Sequence, residues 1–197
     1  MRAWECLAVA FAAAAGVASA EPAAHLQLWS SPGDYVGQGQ TWDLRYAAGD
    51  PFQAQILAQT HGVASYLRFQ LHDAVDGSAD SAFNFDVATT ATRHGLEAGP
   101  YLRAERAAFA SPGHPGLDAA FQHRGCNTIA GAFVVQDLTY STTTWQLETF
   151  TVVFKQSCDG MPPLYGFFSY DAGGQPRSAT RAQLAALLRP SVFGGEP

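Results

Sequence analysis

The densest set of potential metal ligands in the chain is Asp73-Ala74-Val75-Asp76-Gly77-Ser78-Ala79-Asp80. Asp73, Asp76 and Asp80 offer oxygen ligands at short spacing, which is the chemistry calcium prefers. The segment departs from the EF-hand loop, and Asp76-Gly77 is a hairpin-turn dipeptide, so a polar hairpin is the favoured reading. The histidines (His25, His61, His72, His94, His114 and His123) are scattered, without the H-x-H or H-E-x-x-H spacing that sets two imidazoles on one metal. The glycine-rich run Gly33-Asp34-Tyr35-Val36-Gly37-Gln38-Gly39 could present backbone N–H groups to a phosphate. It lacks the G-x-x-x-x-G-K-[ST] spacing and precedes a strand instead of a helix, so it reads as a rim loop. No motif calls for a cofactor.

Nucleophilic catalysis finds no local signature. There is no G-x-S-x-G, and a Ser-His-Asp set cannot be ordered from sequence. Carboxylates are plentiful (Asp34, Asp43, Asp73, Asp86, Glu97, Glu105, Asp118 and Glu148), but nothing singles out a pair for acid–base work on a glycoside. The more specific surface signal is the alternating stripe Tyr66, Arg68, Gln70 and His72. An aromatic beside Arg and Gln combines a stacking plane with fixed donors, which suits sugars or polar peptides, although an ordinary solvated face has the same pattern. Tyr35, in the glycine loop, and Trp145, after Ser141-Thr142-Thr143-Thr144, are the other candidate contacts, since an exposed indole invites a ligand.

These residues require strands to position them. Ser65, Leu67, Phe69 and Leu71 share one face of a run whose other face is Tyr66, Arg68, Gln70 and His72. Phe83, Phe85 and Val87 alternate with Asn84 and Asp86, and Phe150, Val152, Phe154, Gln156 and Cys158 share a face. A pleated strand sends alternate side chains to opposite faces, so each run wants one dry side. Turn signals such as Pro32-Gly33, Asp50-Pro51, Pro112-Gly113 and Asp159-Gly160 punctuate the runs. The pattern predicts about nine strands, near residues 26–30, 41–47, 52–59, 64–73, 82–89, 117–123, 128–140, 147–158 and 164–171. Arg103 to Phe109 reads as one helical turn. Residues 180–189 read as a short helix with a Thr180/Gln183 capping box and a Leu184, Leu187, Leu188 stripe. The expected fold is all-β, an antiparallel sandwich or jelly roll with one short C-terminal helix. The alternative is a lipocalin-like barrel.

The first twenty residues read as a secretory signal peptide. Arg2 supplies the positive n-region, Leu7 to Val17 the apolar stretch and Ala18-Ser19-Ala20 the cleavage pattern. That stretch is shorter than the ~20 residues needed to span a bilayer. The expected organisation is a signal over 1–20, one β domain over 21–178, and a helix with a loose tail over 179–197. Cys6 leaves with the signal, so Cys126 and Cys158 remain in a chain bound for oxidising conditions, where a disulfide is the default. It would close a loop of about 33 residues, worth roughly 3–4 kcal/mol in the chain-entropy model. Net charge is −6 without basic blocks, which argues against nucleic acid as a partner. No segment after the signal is apolar enough to enter a membrane.

Taken together, Gly33-Asp34-Tyr35-Val36-Gly37-Gln38-Gly39, Arg124-Gly125-Cys126-Asn127, Gly131 to Val135, Phe154-x-Gln156-x-Cys158-Asp159-Gly160 and Leu164 to Tyr170 form a longer pattern. It resembles a module found in exported bacterial proteins, alone or beside repeat and binding domains. The module has a G-D-Y-x-G-Q-G opening and an R-G-C-N … F-x-Q-x-C-x-G close. The resemblance spans about residues 26–171. It implies a single domain and a Cys126–Cys158 pair, and it carries over no catalytic residue. The functional expectation is a non-catalytic exported β-sandwich that binds a ligand outside the cytoplasm or belongs to the cell envelope; a small secreted hydrolase is the alternative.

Overall fold

The computed structural model describes residues 21–47, 49–72, 83–180 and 182–183. The protein is all-β. Its ten strands are β1 (Ala23–Ser30), β2 (Thr41–Tyr46), β3 (Phe52–Thr60), β4 (Val63–Leu71), β5 (Phe83–Ala88), β6 (Gly99–Arg106), β7 (Gly116–Phe121), β8 (Ile129–Tyr140), β9 (Leu147–Cys158) and β10 (Leu164–Asp171). They form one sheet in the order β2-β1-β10-β9-β8-β6-β7-β5-β4-β3, antiparallel except for a short parallel β6–β7 pair. The end strands β2 and β3 are consecutive in sequence, so the sheet folds back on itself. The result is a sandwich that comes close to a barrel, with β2-β1-β10-β9-β8 facing β7-β5-β4-β3 and β6 as the hinge between them.

Aromatic side chains fill the interior. Leu67, Phe69 and Leu71 of β4 and Phe83, Phe85 and Val87 of β5 are fully buried, as their alternation requires. From the other layer, Phe150 stacks on Phe69 at 5.2 Å, Phe168 lies 4.7 Å from Phe69, and Phe154 lies 4.9 Å from Phe85. Each such ring contributes roughly 1.5–3 kcal/mol through burial. Trp42 of β2 meets Phe121 of β7 edge-on at 4.9 Å, which carries the core up to the open edges. Where a lipocalin barrel would leave a cup, these rings occupy the space. Gly166 is part of the same packing: it pairs with Phe154 across β9–β10, and a Cβ there would collide with the Phe154 ring.

Gln156 is a polar residue set into this apolar layer, only 1% exposed. Its Nε2 donates to the Ala119 carbonyl and its Oε1 accepts from the Ala119 amide, both at 2.8 Å. Beyond the two-residue parallel pair, β7 has no strand on that side among the described residues, and the Gln156 amide takes the place of one. Nε2 also lies 3.3 Å from Cys126 Sγ. Cys126 and Cys158 are bridged, with Cα atoms 5.0 Å apart, which clips the loop after β7 to the end of β9.

One local expectation meets a different outcome. β6 lies where one helical turn is expected, and only Ala107–Phe109 forms a 3₁₀ turn. A bulge between Tyr101 and Ala104, with Arg103 at φ 54°, erases the period-2 pattern that would announce the strand. Of the expected C-terminal helix, the Thr180/Gln183 capping box is formed: Gln183 Oε1 accepts from the Thr180 amide at 2.9 Å, and Thr180 Oγ1 from the Gln183 amide at 3.3 Å. Leu184, Leu187 and Leu188 lie outside the described residues.

Candidate functional site

Antiparallel register builds a charged row on the outer face of the smaller layer. Arg68 of β4 pairs with Asp86 of β5, and Asp86 pairs with Asp118 of β7. Arg106, at the end of β6, reaches the row through the parallel pairing of Arg106 with Leu117. The sequence therefore runs Arg, Asp, Asp, Arg across four strands, about 4.8 Å apart. One row along, Gln70 faces Asn84 and Asn84 faces Ala120. The inward neighbours of all these residues belong to the core, which makes the face a rigid platform.

The row resolves into two ion pairs. Arg68 grips Asp86 with two parallel hydrogen bonds, Nε to Oδ1 at 2.8 Å and Nη2 to Oδ2 at 2.6 Å, and the Tyr66 hydroxyl donates to Oδ2 at 2.7 Å. Burial, reinforced by the adjacent Asp86 carboxylate, pushes the Tyr66 hydroxyl well above its ordinary range, so it stays protonated as a donor. Arg106 Nε donates to Asp118 Oδ2 at 3.1 Å. Burial raises the Asp118 carboxyl, neighbouring Asp86 adds to the rise, and Arg106 only partly offsets it. Gln70 Nε2 donates to Asn84 Oδ1 at 3.1 Å.

Arg68, Gln70, Asn84, Asp86, Arg106 and Asp118 line a groove of ≈ 230 Å³, with Ala120 and Gly125 as its small-residue wall. On the flank, Gly116 lets the 3₁₀ turn settle onto the sheet, because a Cβ there would lie 2.6 Å from the Ala107 Cα. That turn delivers Phe109, 72% exposed, with its ring 5.1 Å from the Arg106 guanidinium carbon.

Of the residues singled out in the sequence, Arg68 and Gln70 line the groove, and Tyr66 adjoins it through its bond to Asp86. His72 lies past the end of β4 with its amide bonded to Pro51, outside the groove lining. Tyr35 is exposed in the glycine loop, whose Val36 carbonyl accepts from Arg124. Trp145 is exposed at the β8–β9 turn, at the end of that hairpin away from the disulfide. Asp73, Asp76 and Asp80 fall outside the described residues; among those described, no group of three or more His, Cys, Asp or Glu is placed to hold a metal. Sequence reasoning names Asp86 and Asp118 only among the many carboxylates, and it passes over Asn84, Arg106 and Phe109 as site residues. The alternation of Asn84 and Asp86 with buried Phe is a signal for that pair; Arg106 and Phe109 follow a strand the pattern hides.

Two other constellations turn out to be structural. In the glycine loop, Asp34 is buried and accepts from Ser30 Oγ at 2.6 Å and from the Gly37 amide at 2.7 Å, so the loop's donors turn inward. On the outer face of the larger layer, His25 is buried with Nε2 2.7 Å from Asp43, and Ser169 is its register partner. Burial pushes the Asp43 carboxyl up, but hydrogen bonds with His25 and Gln27 outweigh this and hold it below the usual range. The main chain of Arg177 stands between His25 and Ser169, its carbonyl 3.2 Å from His25 Nδ1 and its amide donating to Ser169 Oγ at 2.9 Å. The trio anchors the C-terminal segment, helped by an Arg177–Asp137 ion pair at 3.3 Å.

No helix among the described residues is long and apolar enough to cross a membrane. Compared with known proteins, the chain matches no protein-family model, no curated protein and no solved structure.

Proposed function

We propose that this is an exported, non-catalytic binding protein whose ligand seats in the groove between Arg68, Asp118 and Arg106 on the outer face of β4-β5-β7, with Tyr66 bracing Asp86 behind it. The observation that carries the reading is the Arg68–Asp86 and Arg106–Asp118 pair of ion pairs, held side by side over a packed aromatic core. Polar groups so fixed need little reordering to meet a ligand, and that pre-organisation reduces the entropy cost of binding. Export is supported by the A-x-A pattern at residues 18–20 and by the disulfide, which persists in oxidising compartments.

Binding is favoured over hydrolysis by the state of the carboxylates. Arg68 and Tyr66 occupy the Asp86 oxygens, and among the described residues no His lines the groove to exchange protons. The test is a glycan array and a peptide array probed with the mature protein and with Tyr66→Ala, Asp118→Asn and Trp145→Ala. Binding should fall for the first two and persist for Trp145→Ala. Binding that Tyr66→Ala and Asp118→Asn retain in full, or no binding on either array, refutes the reading.

A further inference from the structure

The groove's chemistry narrows the ligand. Its two Arg and two Asp cancel, and each charge is already met within the protein: Arg68 by Asp86 at 2.6 Å and Arg106 by Asp118 at 3.1 Å. An anion would have to pull a guanidinium away from its carboxylate, and a cation would have to do the reverse. Neither gains the excess field that draws ionic ligands into a site. What the row offers is fixed hydrogen-bonding capacity, with guanidinium donors at its ends, the Asp118 carboxylate as acceptor, and the Gln70 amide beside it.

We infer that the ligand is a neutral carbohydrate; the inference rests on the binding role proposed above. A sugar hydroxyl donates and accepts at once, so it can give its proton to Asp118 while receiving one from Arg106, leaving both ion pairs intact. An extended peptide gains most of its affinity by pairing its main chain with a sheet edge. β4 and β5 are internal strands, and the open side of β7 is taken at Ala119 by the Gln156 amide and at Phe121 by the Arg124 main chain, so the groove offers no such edge. The exposed Phe109 ring supplies an apolar surface for the C–H face of a sugar ring, held beside the hydrogen-bonding row by its contact with Arg106. The wall at Ala120 and Gly125 carries no side chain beyond Cβ to obstruct a ring. At ≈ 230 Å³ the groove is smaller than the roughly 300–1,000 Å³ of sites that enclose drug-sized ligands. It therefore seats a short stretch of glycan and lets the remainder run out over the open face.

The test uses the mature, disulfide-intact protein on a printed array of neutral, amino, uronic and sulfated oligosaccharides beside a peptide array, followed by calorimetric titration with the best free oligosaccharide. The expected result is binding to neutral oligosaccharides that changes less than about twofold between about 0.05 and about 0.5 M salt, because no charge is screened. Phe109→Ala and Asp118→Asn should each weaken it about tenfold or more. Phe109→Ala removes an exposed ring and should leave the fold intact, which circular dichroism checks. Selectivity for uronic or sulfated glycans, a steep salt dependence, or peptide binding lost in the same variants would overturn the carbohydrate inference and leave the binding role standing. Neutral-glycan binding indifferent to both substitutions would overturn the site itself. Silence on both arrays would overturn both.

Discussion

Gln156→Met removes both hydrogen bonds of the buried amide while keeping the side chain's length. The Ala119 N–H and C=O then lose their partners at a position with no strand beside them, each bond having been 2.8 Å long in the wild type. Leaving a buried main-chain group unpaired costs about 1–3 kcal/mol. Two such groups, less the desolvation that Met no longer suffers, give a loss of about 2–4 kcal/mol. For a domain of this size that lowers Tm by roughly 5–15 °C. Gln156→Glu separates the amide's geometry from its charge. A protonated Glu can still donate to the Ala119 carbonyl and accept from its amide, whereas a carboxylate loses the donor and carries a buried charge. Burial raises the folded-state pKa of such a group above its unfolded value near 4.3. Its contribution is therefore fully present below pH ~4 and is lost as pH rises through the folded pKa. Urea unfolding of wild type and both variants at pH about 3.5 and about 7 should show Glu close to wild type in acid and no better than Met at neutrality. A Met variant within about 0.5 kcal/mol of wild type, or a Glu deficit that does not change with pH, would refute the role assigned to Gln156.

Gly166→Ala drives a methyl into the Phe154 ring and should cost about 1–3 kcal/mol by urea titration, the usual penalty for overpacking a rigid core. Thiol titration of the denatured, unreduced mature protein should find no free thiol, and Cys158→Ala should destabilise by roughly 3–4 kcal/mol; two titratable thiols would contradict the bridge. The Asp118 carboxyl is held above its usual range in the folded protein, so its ionisation opposes folding. Wild type should accordingly lose stability relative to Asp118→Asn as pH climbs from about 3 to about 6, and an unchanging difference would show that Arg106 fully compensates the buried charge.

The sequence alone determined the strand faces. Strict alternation around Leu67, Phe69 and Leu71, and around Phe83, Phe85 and Val87, left one way to bury the rings, and the residues between them had to face outward. The same alternation placed Tyr66, Arg68 and Gln70 on one surface. The disulfide was legible from cysteine count because no other partner remains once Cys6 is assigned to the expected signal peptide. Three things required tertiary structure. The first is β6, whose bulge and left-handed Arg103 break the period that marks a strand, so that its identity rests on pairing with β8 and β7. The second is the role of Gln156, which stood on the apolar face of its strand without a visible partner until β7 was laid beside it. The third is the groove. Arg68, Asp86, Asp118 and Arg106 are spread over more than fifty positions of chain, and only the register of four strands makes neighbours of them. Local patterning fixes which way a side chain points, whereas strand order and register, which depend on how the whole core closes, decide what it meets.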